Sequence, residues 1–118
     1  LNHGVFGILL KPLDEIKKHA TRCARALEKA HSDRLEISVE SAVSEIGGGS
    51  LSTEQLPTYV VAIRSKTIPM QDLARALRLH AKPVFGRVAE NTLLLDFRTV
   101  LKGEEKIILE AFNVVLRT

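Results

Sequence analysis

Apolar residues recur along this chain at two different periods, and the points where the period changes mark off its elements. From Pro12 onward Leu13, Ile16, Ala20, Cys23, Ala24, Leu27 and Ala30 return at helical steps, while Lys17, Lys18, Arg22, Arg25 and Lys29 take the other face. An amphipathic helix is predicted there, with Pro12 at a first-turn position where its missing N–H costs nothing. Upstream, Val5 to Leu10 is a short apolar run that reads as a strand or as a connection leading out of a preceding element.

Arg34 to Ile46 then alternates. Leu35, Ile37 and Val39 share one phase and Val43 and Ile46 follow after a slip, so a half-buried strand with a bulge is expected. Gly47-Gly48-Gly49-Ser50 ends it. Pro57 leads into Tyr59-Val60-Val61-Ala62-Ile63, a β-branched and aromatic run that suits a second strand, antiparallel to the first. Pro69 to Leu79 returns to the helical period, with Leu73, Ala76 and Leu77 inward and Asp72, Arg75 and Arg78 outward. Val84 to Val88 and Thr92 to Arg98 flank Ala89-Glu90-Asn91 at hairpin spacing, although no Asn-Gly or Asp-Gly pair sets the turn type. Glu104 and Glu105 stand where a helix N-terminus favours acids, ahead of a stripe of Ile107, Ile108, Ala111, Val114 and Val115.

The predicted order α-β-β-α-β-β-α describes an α+β fold: a two-layer domain with a small, mainly antiparallel sheet covered on one face by helices. At 118 residues, 45% of them hydrophobic, the chain is long enough for one core without metals or disulfides, so residues 1–118 are expected to form a single domain. One cysteine builds no internal disulfide framework, and no apolar run is long enough to span a bilayer; a cytoplasmic protein is expected. The first residue is leucine, and the chain runs at once into an apolar segment, as expected of a piece of a larger protein.

Charge changes this picture little. Seventeen basic and fourteen acidic residues give a net charge of +3, the signs are mixed along the chain, and aromatic residues make up only 4%. Nucleic-acid binding relies on clustered Lys and Arg, often with aromatic platforms. The composition therefore favours a solvated surface over an RNA-binding face. His3, His19, His31 and His80 show no ligand spacing with one another or with Cys23, and no metal site is expected. Cys23 lies on the apolar stripe of the first helix, the place of a small buried hydrophobe rather than a nucleophile. Three successive glycines are placed where φ is positive or where another group approaches closely, so Gly47 to Ser50 is either a ligand- or domain-facing loop or a flexible connector. A P-loop is excluded because no Gly-Lys-Ser/Thr follows. Arg87 and Arg98, on the hairpin, are expected to form surface ion pairs rather than bind substrate, as arginines on strands more often do, and neither carries a function by itself.

Several segments occur together in a fixed order: Leu9-Leu10-Lys11-Pro12-Leu13-Asp14-Glu15-Ile16, Ile46-Gly47-Gly48-Gly49-Ser50-Leu51, Leu56-Pro57, Pro83-Val84-Phe85-Gly86-Arg87-Val88 and Leu93-Leu94-Leu95-Asp96-Phe97-Arg98-Thr99. Over nearly the whole chain this combination resembles the C-terminal region of bacterial selenocysteine synthases. Asn91, where a glycine is often expected, and the compact stretch from Arg64 to Pro69 depart from that pattern without touching its motifs.

The resemblance implies the small domain of a fold-type I pyridoxal-phosphate enzyme. The full-length protein would be a cytoplasmic homo-oligomer acting on seryl-tRNA(Sec), with selenophosphate as the selenium donor. The cofactor supplies the electron sink and the protein supplies orientation and electrostatics. None of the eight lysines here sits in a motif matching the Schiff-base lysine, so that residue is expected in a large catalytic domain outside this chain, and the isolated fragment is expected to be inactive. Gly47, Gly48, Gly49 and Ser50 would face the active-site cleft, with Arg87 or Arg98 near phosphate or selenophosphate, where guanidinium forks suit tetrahedral oxyanions. Two alternatives remain open at this level: the small domain of a related pyridoxal-phosphate lyase acting on a small amino substrate, and a stand-alone α+β binding or dimerisation module.

Overall fold

The structure, a computed structural model, describes residues 11–47 and 53–117. The element order is α1 (Leu13–His31), β1 (Leu35–Gly47), β2 (Thr53–Ser65), α2 (Met70–Arg78), β3 (Arg87–Ala89), β4 (Thr92–Asp96) and α3 (Glu104–Val115). All strand pairs are antiparallel and the sheet order is β1-β2-β4-β3. This is the two-layer α+β architecture expected from the periodicity. The Val5 to Leu10 run and the Gly48-Gly49-Ser50 segment lie outside the described residues.

One face of the sheet carries the core. Leu35, Ile37 and Val39 of β1, Val61 and Ile63 of β2, Val88 of β3 and Leu93 and Leu95 of β4 point toward the three helices, as alternation along a pleated strand requires. Helix α1 answers with Ile16, Ala20, Cys23 and Leu27 and lies over β1 and β2. Helix α2 contributes Met70, Leu73, Ala74 and Leu77 and reaches β3, β2 and β4. Helix α3 packs against both other helices through Ile108, Ala111 and Phe112. The Arg34 guanidinium takes the Leu116 carbonyl, tying the lead-in of β1 to the end of α3.

Several details differ from the sequence reading. The first strand has no bulge: Leu35 pairs with Ser65 and the register runs unbroken to Gly47 opposite Thr53. The inward phase changes instead because the β1–β2 hairpin extends past the helices. There Val43 is 58% exposed while Ser44 is buried, so the opposite face of the arm finds cover. Leu13 and Ala30, at the two ends of α1, and Val114 in α3 are exposed, and Phe112 carries the α3 stripe in place of Val114. Pro12 is the N-cap rather than a first-turn residue, its carbonyl accepting from the Glu15 and Ile16 N–H groups. The second hairpin is shorter than expected, because Val84 to Gly86 packs across the sheet edge instead of pairing with it.

Candidate functional site

Where β3 stops short, the C-terminal half of β4 borders an open groove of about 1040 Å³. One wall is the segment from Lys82 to Arg87, and another is Thr99, Val100 and the first turns of α3 at Glu104 and Ile107. Val43, Ser44 and Gln55, on the outer part of the β1–β2 hairpin, complete it. The lining mixes apolar side chains with the cations Lys82 and Arg87 on one side and the carboxylates of Asp96 and Glu104 on another. A groove that is largely apolar, with a few charged groups, has the character of a ligand or domain seat.

Arg87 and Arg98 separate in this setting. Arg87 lines the groove, is exposed, and makes no hydrogen bond or ion pair among the described residues. Arg98 is buried, and its guanidinium is committed to backbone: Nε donates to the Pro57 carbonyl at 3.1 Å, Nη2 donates to the same oxygen, and Nη1 reaches the Lys11 carbonyl at 3.4 Å. Gly47 closes β1 opposite Thr53, a few residues beyond Ser44 and Gln55 on the same hairpin. Gly48, Gly49 and Ser50 lie outside the described residues.

The turn that follows β4 is held from every side. Asp96 Oδ1 accepts from the Thr58 hydroxyl at 2.7 Å and from the Arg98 N–H at 3.0 Å, which fixes the strand end against β2. Lys11 Nζ donates to the carbonyls of Phe97 at 2.9 Å and Val100 at 2.8 Å. Burial, partly opposed by the Glu15 carboxylate, lowers the Lys11 pKa from its ordinary value. Under Phe97 the buried His19 ring stands edge-on at 5.0 Å, and its Nε2 lies 2.7 Å from Glu105 Oε1. Glu105 and Glu104 also accept from the Gly103 and Leu101 N–H groups, donors in the N-cap and the loop before it, so the first turn of α3 is tied back to the chain that leads into it. The Thr99, Val100 and Glu104 wall of the groove is thus pre-positioned by side chains from α1, β2 and α3.

Sequence reasoning did not single out Lys11, Thr58, His19 or Glu105 for this task. Lys11 and Asp96 do stand inside the segments that carried the resemblance. The pairings themselves join residues more than thirty positions apart and leave no local pattern. Cys23 is 1% exposed, and burial pushes its thiol up to about 12, so no thiolate is available there near neutral pH. Among the described residues no group of three or more His, Cys, Asp or Glu could hold a metal ion, and no helix is long and apolar enough to cross a membrane.

Comparison with known proteins agrees with the sequence motifs. Residues 4–101 match the family model described as SelA: L-seryl-tRNA selenium transferase. The chain is 37% identical over 111 residues to the L-seryl-tRNA(Sec) selenium transferase of Alkaliphilus oremlandii, covering 92% of this chain and 24% of that protein. It is 34% identical over 116 residues to the protein of the same name from Clostridium botulinum strain Hall, covering 98% of this chain and 25% of that one. The corresponding values for the Aquifex aeolicus protein are 38% over 110 residues, 92% and 24%. The chain therefore spans about a quarter of the length of these relatives. With the family match running from before the first helix into the loop after β4, and identities above 30% along nearly the whole chain, this chain belongs to the L-seryl-tRNA selenium transferase family.

Proposed function

We propose that residues 1–118 form the small C-terminal domain of a cytoplasmic, pyridoxal-phosphate-dependent L-seryl-tRNA(Sec) selenium transferase. The whole enzyme would convert Ser-tRNA(Sec) to Sec-tRNA(Sec) with selenophosphate, and would work as a homo-oligomer in which this domain packs on its own large domain and on neighbouring subunits. The observation that carries the reading is the 34–38% identity to selenium transferases along nearly the whole chain.

The residues present do not make a site for the cofactor's aldehyde. Lys11 Nζ is occupied by the Phe97 and Val100 carbonyls, and the other lysines are exposed, Lys82 at the open wall of the groove included, so none is enclosed as a Schiff-base lysine would be. The Schiff-base lysine is accordingly assigned to the large domain, and no reaction step is derived through the cofactor here. What this chain supplies is position and charge. Arg87 offers its guanidinium fork to the selenophosphate oxyanion from the groove wall. The Gly47 to Ser50 segment is read as facing the active-site cleft, where glycines permit close approach, and Arg98 ties β2 to the backbone of Lys11 so that the wall keeps its shape.

The test is made on the full-length protein. Its visible absorption is recorded before and after borohydride, and mass spectrometry locates the lysine that retains the reduced cofactor. A bleached band with a modified lysine outside Leu1–Thr118 is expected, together with no turnover by the fragment alone. A protein that takes up no cofactor from excess pyridoxal phosphate would overturn the reading. For Arg87, replacement by alanine is expected to raise the KM for selenophosphate at least about tenfold, the loss of one charge-assisted contact. Unchanged selenophosphate kinetics would remove Arg87 from the site.

A further inference from the structure

Helix α1 carries a line of cations that its packing leaves facing solvent. Lys18, Arg22, Arg25 and Lys29 are all exposed, and at 100° per residue they fall within one narrow arc. That arc lies opposite the buried residues Ile16, Ala20, Cys23 and Leu27, and so points directly away from the sheet. Their spacings of four, three and four residues place successive charges about 4.5–6 Å apart along the axis, over about 16 Å in all.

None of the four forms an ion pair or a side-chain hydrogen bond among the described residues, where the single salt bridge is His19 with Glu105. The nearest acids on the helix are Asp14, one turn before Lys18, Glu15 beside it, and Glu28 off the flank of the arc. They bound the line without interrupting it. Lys17, by contrast, is turned toward the sheet, 5.4 Å from the Tyr59 ring centroid, and belongs to the fold. Like charges at i, i+3 and i, i+4 destabilise a helix, and this line holds three such pairs with no ion pair or side-chain hydrogen bond to offset them among the described residues.

We infer that this face of α1 binds the phosphodiester backbone of RNA, and, resting on the functional reading above, that the RNA is the seryl-tRNA substrate. A nucleic-acid backbone presents phosphates in regular close succession, so a straight line of four long, flexible cations can neutralise several of them. No aromatic residue stands on this face of α1, so the contact reads phosphates and not bases.

The experiment uses the full-length protein and its seryl-tRNA(Sec), with affinity measured from about 50 to 300 mM salt. The K18Q/R22Q/R25Q/K29Q variant is compared with a charge-matched control, R75Q/R78Q/K102Q/K106Q, which removes four exposed cations from α2, the loop before α3 and the first turn of α3. The expected result is a loss of affinity of at least about tenfold for the α1 variant, with the slope of log K against log salt reduced by about 3. The control should change the slope by less than about 1. Equal effects from both variants, or wild-type affinity and slope in the α1 variant, overturn the assignment. So does an α1 variant that binds tRNA normally but loses its oligomeric state by analytical ultracentrifugation, since the face is then a protein interface. Wild-type protein that does not bind the tRNA at all overturns the functional reading, and this inference with it. Circular dichroism of each variant establishes that the substitutions, all at exposed positions, leave the helices intact.

Discussion

Gly86 crosses β4 so closely that a methyl group added there would stand 2.7 Å from Leu93 Cδ1, 2.8 Å from Leu95 Cδ2 and 3.0 Å from the Leu94 carbonyl oxygen. Both leucine side chains belong to the core and the carbonyl belongs to the sheet, so neither can move freely. Gly86→Ala is expected to cost about 1–3 kcal/mol in urea unfolding, the range for overpacking a filled site. Glu105 gives a pH-dependent counterpart. Its hydrogen bond from His19, aided by the Gly103 N–H, holds its carboxyl below the ordinary carboxylate value. Because the folded state binds that proton less tightly than the unfolded state, the pairing stabilises at and above the ordinary carboxylate range. The contribution is lost as pH falls through the lowered value. Urea midpoints measured from about pH 3 to 6 should therefore fall less steeply on acidification in Glu105→Gln than in the parent, with the two converging at the acid end. A constant offset between them would assign Glu105 only a packing role.

At the scale of elements, the β3–β4 hairpin turns on Glu90 and Asn91 with φ of 51° and 58°. Two successive left-handed residues are the signature of the tight turn that matches strand twist, and this turn favours Asn followed by Gly. Glu90 is the costlier occupant, since its Cβ crowds the following carbonyl in that region while Asn tolerates it. Glu90→Asn and Asn91→Gly are each expected to raise stability by about 0.5–1 kcal/mol, read as higher melting temperatures, and the two together should add. A double variant no more stable than the parent would place the strain elsewhere. The first hairpin illustrates a different rule. Its register is fixed by pairing from Leu35–Ser65 to Gly47–Thr53, yet its inward phase changes where the helices end. Alternation in a sequence reports which face is covered, and cover here comes from different neighbours along one strand.

For the molecule as a whole, the two arginines considered for the site act on different properties. Arg98 joins β2, the segment before α1 and the turn after β4, so Arg98→Ala leaves the Pro57 carbonyl without its charged donor. A loss of about 2–3 kcal/mol is expected in denaturant unfolding. Arg87→Ala should stay within about 0.5 kcal/mol of the parent, as exposed substitutions do, and show its effect only in selenophosphate kinetics. The reverse ranking would exchange their roles. The same contrast applies to α1, where the exposed Lys17 reaches over the Tyr59 ring and four other cations stand in line without such a contact.

The sequence by itself determined the element order, the two-layer class and the family. Those depend on local periodicity and on short segments in fixed succession, which survive without knowledge of contacts. Leu35, Ile37 and Val39 announced a strand, Ile16 to Leu27 a helix, and the glycine and Leu93 to Thr99 segments a relative. Only the tertiary structure decided that Arg98 supports the fold while Arg87 borders the groove, that Lys11, Thr58 and His19 brace the turn after β4, and that of the cations on the polar face of α1 Lys17 meets Tyr59 while the other four stay without a partner among the described residues. Each of these depends on which face of an element its neighbours bury and on partners brought together from distant positions. A net charge of +3 averages over the whole surface, whereas a phosphate backbone meets one face of one helix.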